Sequence, residues 1–357
     1  MWKKELTNIL GIQYPILQAP MAGGITTSEL VSAVSDNGGL GMVGAGYMTP
    51  SQLQNQIKDI KKRTQRKFAV NLFVPNEFYC TEKEMLDGYK LLEPYRSLFS
   101  LETYNPEVMP GEKARKMFHD QINVLIEERV SIVSFTFGLP PKEILTLLKE
   151  QGITIIGTAT TVQEAVFNEK MGVDAIVAQG SEAGGHRGSF QENEDSGMIG
   201  LMSLIPQIAD SVTIPVIAAG GIMDGRGIAA SVCLGAEGVQ MGTAFLTCHE
   251  SGAHPIHKEA ILNSSEENTT MTKAFSGKWA RGINNKFIKD FQDKQHFLPP
   301  FPVQNTLTKE IRSASKARNN PEYMSLWSGQ SPQLAKKLSV PELMEELIRE
   351  SEKLLNK

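Results

Sequence analysis

Eight short apolar runs of strand length alternate with longer amphipathic segments along most of this 357-residue chain. Runs of this kind suit strands that are buried on both faces, and the segments between them carry apolar residues at helical spacing, as in "PKEILTLLKEQG". Several of these segments end in glycine, which helix C-termini favour. The predicted strands are residues 14–20, 40–45, 68–74, 131–137, 154–159, 174–179, 214–220 and 238–244. Eight repeats of strand and helix predict an α/β fold, a parallel (β/α)8 or TIM barrel.

Two segments are too long for this repeat and predict additions to the barrel. Residues 75–111 exceed an ordinary connection between strand and helix, and predict a small helical excursion above the third strand. The tail carries helical patterns such as "VPELMEELIRESEKLL" beside the proline-rich stretch "FLPPFPV". We therefore expect a barrel over residues 1–246, a smaller helical cap over 247–305, and a C-terminal helical segment over 306–357 that packs on the barrel.

Composition and charge exclude several classes of protein. With a formal net charge of -4, the chain lacks the excess of basic residues that a nucleic-acid-binding surface needs, so we expect no nucleic-acid partner. Three widely spaced cysteines, Cys80, Cys233 and Cys248, argue against a disulfide framework and suit a reducing compartment. The chain has no apolar run of about 18 residues, and its N-terminus lacks the apolar stretch of a secretory signal. We expect a soluble cytoplasmic protein without a membrane partner.

The ends of the last two predicted strands carry a phosphate-binding pattern. In such barrels the site lies at the C-terminal ends of the strands, and the loops after strands 7 and 8 commonly bind phosphate through backbone amides. The residues in these positions are small or polar: Ala219, Gly220, Gly221, Gln240, Met241, Gly242 and Thr243. They predict a phosphate site that includes the Thr243 hydroxyl.

Polar and flat surfaces at other strand ends predict the rest of that ligand. The motif "QAPMAG", with Ala19, Pro20 and Met21, offers backbone amides and a surface for a ring, while Asn71 and Gln179 can donate and accept at the edge of a heterocycle. FMN fits better than pyridoxal phosphate, because no lysine stands at a strand end to form a Schiff base.

Taken together, these motifs resemble the FMN-dependent class of nitronate monooxygenases, formerly called 2-nitropropane dioxygenases, nearly from end to end of the chain. The motifs that carry the resemblance are "PILQAPMAGG", "NLFVP", "AQGSEAGGHRG", "IPVIAAGGI", "GVQMGTAFL" and "YMSLWSGQ". The resemblance implies a barrel with a smaller domain, bound FMN, and O2-dependent oxidation of alkyl nitronates such as propionate 3-nitronate. The implied products are a carbonyl compound and nitrite, formed through a flavin semiquinone without reduced nicotinamide.

The resemblance also assigns residues to roles. The positions implied for FMN are Asn71, Gln179, Gly184, Gly220 and residues 240–243, and His186 is implied for catalysis. We expect the glycines around His186 to let its loop lie against the flavin and to direct the imidazole at the substrate. His186 can hydrogen-bond the nitronate anion or act as base toward a neutral nitroalkane, and the sequence leaves both roles open. It also leaves open a monomer or a homodimer.

Alternatives rest on parts of the same sequence. An FMN-dependent enoyl-[acyl-carrier-protein] reductase that uses NADH shares the "EAGGH" loop and the phosphate motifs, although "LWSGQ" favours the nitronate enzyme. A flavin carrier without turnover is a third possibility, which would tolerate the loss of His186. Finally, Cys248, His249, His254 and His257 lie close together but match no standard zinc spacing, so we expect no metal site.

Overall fold

The centre of the molecule is a sheet of eight parallel strands. The computed structural model describes residues 5–102, 111–190 and 198–356. Within these ranges the strands are β1 (Ile16–Gln18), β2 (Met42–Gly44), β3 (Ala69–Phe73), β4 (Ile132–Thr136), β5 (Thr154–Ala159), β6 (Ala175–Gln179), β7 (Gly185–His186), β8 (Val216–Ala219), β9 (Gly238–Met241), β10 (Thr269–Thr272) and β11 (Ala280–Ile283). The large sheet has the order β1-β9-β8-β6-β5-β4-β3-β2.

Pairing between the first two strands closes this sheet into a barrel. Leu17 and Leu40 form a parallel bridge. The Gln18 amide donates to the Leu40 carbonyl at 3.0 Å, and the Leu40 amide donates to the Ile16 carbonyl at 3.0 Å. The predicted (β/α)8 barrel is therefore confirmed, and each of the eight predicted strands contains one strand of the barrel.

The helices surround the barrel or build onto its ends. They are α1 (Glu5–Leu10), α2 (Ser28–Asp36), α3 (Pro50–Arg63), α4 (Glu82–Leu98), α5 (Gly111–Glu127), α6 (Lys142–Glu150), α7 (Val162–Met171), α8 (Leu201–Ala209), α9 (Gly225–Cys233), α10 (Thr243–Leu246), α11 (Pro255–Leu262), α12 (Lys286–Asp290), α13 (Val303–Leu307), α14 (Lys309–Ala317) and α15 (Val340–Leu355). Side chains cap the backbone amides at several of the helix starts. At α3, for example, the Thr49 side chain accepts from the Gln52 amide and Gln52 caps the Thr49 amide in return.

Helix α1 closes the N-terminal end of the barrel. Its Leu6 and Leu10 are fully buried and belong to the same apolar cluster as the inward side chains of the strands, including Met42, Ile132 and Ile217. With that end filled, a ligand can enter only where the strands end. In this fold that end carries the functional site.

A second unit, built from residues 75–102 after β3 and residues 269–327 of the tail, covers the C-terminal ends of the strands and has its own core. Helix α4, from the excursion after β3, packs against α13 from the tail. One aromatic cluster joins the two segments: Phe99, just after α4, lies edge-on to Tyr323 at 5.4 Å, and Phe275 and Phe287 of the tail stack at 4.7 Å. The chain therefore brings two distant segments together through a shared aromatic cluster, whereas the proposed division at residues 246 and 305 stays a prediction.

The second unit also contains a small sheet that the sequence analysis did not predict. Strands β10 and β11 form an antiparallel hairpin, and β11 pairs with β7. In this pairing Ala280 lies opposite His186, and Arg281 lies opposite Gly185. Four-residue strands such as "TTMT" and "ARGI" are too short to give a clear alternating pattern, so only the tertiary contact reveals them.

Across residues 5–102, 111–190 and 198–356, no helix combines the length and the apolar character needed to cross a membrane.

The last helix, α15, lies against α9 and α2 on the outside of the barrel. Its buried face includes Leu343, Met344 and Leu347. We expect Leu347→Ala to lower the free energy of unfolding by about 2–5 kcal/mol, because it leaves a cavity in a packed interface. Urea denaturation measures this change. The exposed Arg349→Ala on the same helix is the matched control, and equal effects of the two substitutions would contradict the packing described here.

Candidate active site

A cavity of ≈ 1210 Å³ lies between the C-terminal ends of the strands and the second unit. All fourteen residues singled out from the sequence line it: Ala19, Pro20, Met21, Asn71, Gln179, Gly184, His186, Ala219, Gly220, Gly221, Gln240, Met241, Gly242 and Thr243. The volume is large enough for a cofactor and a small substrate together. The fold therefore brings the predicted residues into one site, while their individual roles stay predictions.

The turn after β8 and the start of α10 form one end of the cavity. Gly220 and Gly221 have φ values of 136° and 64°, a backbone region that favours glycine. A Cβ on Gly220 would come within 3.0 Å of the Ala183 amide nitrogen, so the turn also needs a small residue. The Thr243 hydroxyl accepts from the Gly329 amide at 2.9 Å, which leaves its own proton to donate. This end can therefore offer backbone amides and a hydroxyl to an anion.

The floor of the cavity contains two buried acceptors without a hydrogen-bond partner among the described residues. The Asn71 amide nitrogen donates to Ser134 Oγ at 2.7 Å and to Thr136 Oγ1 at 3.0 Å, which uses both of its protons. Asn71 Oδ1 and Gln240 Oε1 are left buried and unpaired. Buried polar atoms rarely stay unpaired, so these two oxygens indicate a ligand that brings its own donors.

Gln179 orders the loop that carries His186. Its Nε2 donates to the His186 carbonyl at 3.0 Å, and its Oε1 accepts from the Gly188 amide at 2.7 Å. The buried Arg187 adds a second connection, since its Nη1 donates to the carbonyls of Gln179 at 2.9 Å and Gly180 at 2.7 Å. The polar atoms of Gln179 that were expected to face a ligand thus already bind this loop.

The glycines of the loop have separate structural roles. Gly185 has a φ of 73° and open space around its Cβ position, so it serves the turn itself. A Cβ on Gly184 would lie 2.5 Å from the Gly329 amide nitrogen. Gly184 therefore lets the loop pack against the "LWSGQ" segment, which also contacts Thr243.

His186 lies in a box of aromatic side chains from both units. Its ring centroid is 5.4 Å from that of Trp327 and 6.1 Å from those of Phe137 and Phe301. Its Nε2 is 2.8 Å from the hydroxyl of the buried Ser276. These contacts restrict both the position and the rotation of the imidazole.

Burial, together with the positive charges of Lys278 and Arg312, lowers the pKa of His186 from 6.5 to about 3. The imidazole is therefore neutral at physiological pH in the free protein. Lys278 reaches the same place from the β10–β11 connection, where its Nζ lies 5.3 Å from the centre of the Phe137 ring.

Positive charge dominates the lining of the cavity. Among the described residues the lining includes five lysines and arginines, Arg115, Lys278, Lys309, Arg312 and Lys316, and one acid, Glu77. Fields of one sign inside a cleft attract ligands of the opposite sign. The cavity therefore suits an anionic ligand or substrate.

Sequence reasoning missed Ser276, Lys278 and Arg312. They come from the tail, far along the chain from any strand end, and no motif marked them. The one local signal is a lysine between glycine and tryptophan in "SGKWA", an apolar setting that is unusual for an exposed cation.

Three of the four residues considered for a metal have other contacts. His257 Nε2 lies 2.9 Å from the Trp327 carbonyl, His254 caps α11, and Cys248 is a buried free thiol. No group of three or more histidine, cysteine or acidic side chains within the described ranges could hold a metal ion.

Comparison with known proteins gives consistent matches over the whole chain. A family model described as nitronate monooxygenase matches residues 3–350. A relative from Staphylococcus haemolyticus, named probable nitronate monooxygenase, is 51% identical over 99% of both chains. Among solved structures, nitroalkane oxidase from Streptomyces ansochromogenes superposes with a TM-score of 0.91 at 35% identity, covering 99% of both chains. FabK from Thermotoga maritima gives a TM-score of 0.77 at 31% identity, covering 100% of this chain and 98% of its own.

Burial of His257 predicts a loss of stability in acid. Burial lowers the pKa of this 5%-exposed side chain from 6.5 to about 4. Below pH 6.5 the unfolded chain binds a proton at this position and the folded protein does not, so stability falls as the pH drops toward 4. The slope from this residue is about 1.4 kcal/mol per pH unit. Urea denaturation at several pH values should give a shallower acid slope for His257→Gln than for the unchanged protein, and identical slopes would contradict a neutral buried imidazole.

Proposed function

The chain belongs to the nitronate monooxygenase family and is an oxygen-using oxidoreductase, and on this basis we propose that it binds FMN and oxidises alkyl nitronates. The proposed substrates include propionate 3-nitronate, and the proposed products are a carbonyl compound and nitrite. The observation that carries this proposal is the positive lining around a neutral imidazole, because a nitronate is an anion.

The polar atoms of the cavity support FMN as the cofactor. The isoalloxazine N–H and the ribityl hydroxyls are donors, and they suit the unpaired oxygens Asn71 Oδ1 and Gln240 Oε1. The phosphate suits the amides around Gly220 and Gly221 and the free proton of Thr243. These residues would hold the cofactor at the ends of β3, β8 and β9, and "QAPMAG" would contact its ring.

When bound, FMN supplies the electron-accepting and oxygen-reacting chemistry, which no amino-acid side chain offers. The protein binds the nitronate oxygens through charge and excludes water. Lys278 and Arg312 compensate the charge of the anion, and the rings of Phe137, Phe301 and Trp327 restrict access of solvent to His186. In a cavity with few water molecules each charge interaction is stronger than in solution.

The second candidate is reduction of an enoyl thioester by NADH. The "EAGGH" loop and the glycine motifs favour it, as does the similarity to FabK. NADH distinguishes the two candidates. In the absence of oxygen, NADH should rapidly reduce the flavin of the enoyl reductase but not that of the nitronate enzyme.

The proposed activity predicts a direct result for His186→Asn. Nitrite release and oxygen uptake with propionate 3-nitronate should fall by about 100-fold or more, because asparagine cannot reproduce the imidazole contacts that orient the nitronate anion. The purified variant should keep its FMN spectrum, since the cofactor contacts lie elsewhere.

Three results would contradict the proposal. The first is a colourless protein that does not take up riboflavin phosphate, and the second is a His186→Asn variant with full nitronate turnover. The third is rapid anaerobic bleaching of the flavin by NADH, which would favour the reductase.

Positive charge beside His186 predicts a separate effect on substrate binding. Lys278→Met keeps the length of the side chain and removes the charge, so we expect KM for the nitronate to rise by about tenfold with a smaller change in kcat. Steady-state kinetics at constant ionic strength measures both. Lys289→Met, an exposed lysine on α12 outside the lining, is the control, and the same KM in both variants would contradict a role for Lys278 in anion binding.

A further inference from the structure

One face of helix α14 carries three cations into the cavity. Lys309, Arg312 and Lys316 are spaced at i, i+3 and i+7, so they share a face of the helix, and all three line the cavity. The acid of the same helix, Glu310, lies outside the lining and pairs with Arg96 at 2.8 Å. Helix α14 therefore presents positive charge to the cavity without an acid of its own to compensate it.

The guanidinium of Arg312 is held in one place, but part of it is unused. Nη2 donates to the Asn305 carbonyl at 2.7 Å and to Asn305 Oδ1 at 2.9 Å, and Nε donates to Thr308 Oγ1 at 3.2 Å. Among residues 5–102, 111–190 and 198–356, Nη1 has no acceptor and the guanidinium has no acidic partner. A half-buried arginine with two free N–H donors and no counter-ion indicates a site for an anion.

The barrel supplies a further donor near this guanidinium. Tyr47, in the loop after β2, lines the cavity, and its hydroxyl makes no hydrogen bond to any other residue that the structure describes. Partial burial raises the pKa of Tyr47, and the positive charge of Arg312 acts in the opposite direction, so the two groups are close enough to interact. A guanidinium and a neutral phenol are donors that suit a carboxylate.

Aromatic rings line the cavity between this pair of donors and His186. The Tyr47 ring is edge-on to that of Phe73 at 5.4 Å, and Phe73 lies 4.7 Å from Phe137. The Phe137 ring in turn lies 6.1 Å from that of His186. The wall between the two polar ends is therefore apolar, which suits the hydrocarbon part of a ligand that is polar at both ends.

Lys278 and Arg312 act at different points of the cavity. Burial has the largest effect on the low pKa of His186, Lys278 has the next largest, and Arg312 has the smallest of the three. Of the two cations, only Arg312 also shifts the pKa of Tyr47. Lys278 is thus the cation nearer the imidazole, and Arg312 is the cation nearer the other end of the aromatic wall.

We propose that Arg312, together with the Tyr47 hydroxyl, is a specificity-determining residue that binds a carboxylate of the substrate while the nitronate group lies beside His186 and Lys278. This inference rests on the proposed function for the reacting group and adds a binding site for the rest of the molecule. Because the carboxylate does not change during the reaction, Arg312 stabilises the ground state and the transition state alike. Its loss should therefore raise KM more than it lowers kcat.

The first test compares nitronates of equal length that end in a carboxylate or in a methyl group. The pairs are propionate 3-nitronate with propyl 1-nitronate, and butyrate 4-nitronate with butyl 1-nitronate, which extends the reach by one methylene. In Arg312→Met the ratio of kcat/KM within the better pair should fall by about 10- to 100-fold, because charge-assisted hydrogen bonds are lost. The methyl-ended substrates should lose no more than about threefold. Equal losses within both pairs would overturn the proposal.

Three further variants separate recognition of the carboxylate from a general effect on structure or charge. Tyr47→Phe should lower the same ratio by about 3- to 10-fold, and Arg312→Lys should keep part of it, since the charge remains while the fork is lost. Arg318→Met is the matched control, because Arg318 follows the same helix and binds the carbonyls of Leu98 and Phe99 outside the cavity lining. The same fall in Arg318→Met as in Arg312→Met would overturn a specific role for Arg312.

The second test measures binding without turnover. Isothermal titration calorimetry of the FMN-bound protein compares succinate with butyrate and glutarate with valerate, so that each pair differs by one carboxylate at equal length. The second carboxylate should tighten binding by about tenfold or more in at least one pair, and Arg312→Met should remove this gain. If the second carboxylate brings no gain in the unchanged protein, the proposal is overturned whether or not Arg312→Met folds.

The two proposals fail in different ways. A protein that oxidises none of the nitronates, yet binds dicarboxylates through Arg312, would refute the proposed function and support the carboxylate site. A protein that oxidises both members of each pair equally well would refute only the carboxylate site.

Discussion

Pairing of β7 with β11 is the contact on which the site depends. It joins the loop after β6, part of the barrel, to the hairpin of the second unit, with His186 opposite Ala280. Without it, the barrel would still present its strand ends, but His186 would have neither Ser276 nor Trp327 beside it. A loop with several glycines has high conformational entropy when free, and the pairing, with the Gln179 hydrogen bonds, offsets that entropy.

The two units contribute different chemistry to the cavity. Most atoms suited to a neutral heterocycle and its phosphate come from the barrel: Asn71 on β3, Gln240 on β9, and the glycine turn after β8. The positive charges beside His186 come from the second unit, through Lys278 and Arg312. A barrel of this kind can keep the residues at its strand ends while a different second unit changes the substrate.

The barrel could be predicted from the sequence because its signals are local. Each strand is an apolar run and each glycine turn at a strand end is adjacent to its strand, so residues such as Asn71 and Gly220 follow from position alone. The second unit could not be predicted in the same way, since α4 and α13 meet only through an aromatic cluster of residues distant in sequence. Ser276 and Lys278 were missed for the same reason, as their place beside His186 results from strand pairing rather than from any motif.

The low pKa of His186 links the packing of the second unit to the chemistry proposed for the barrel. A buried imidazole near two cations stays neutral, so the positive charge beside it comes from Lys278 and Arg312. An anion bound beside His186 would oppose both effects and would make protonation of the imidazole less unfavourable. Binding of an anion and protonation of His186 would therefore be coupled, each making the other less unfavourable. A carboxylate in place of Lys278 would act in the opposite direction, because it would raise the pKa of His186 before any substrate arrived.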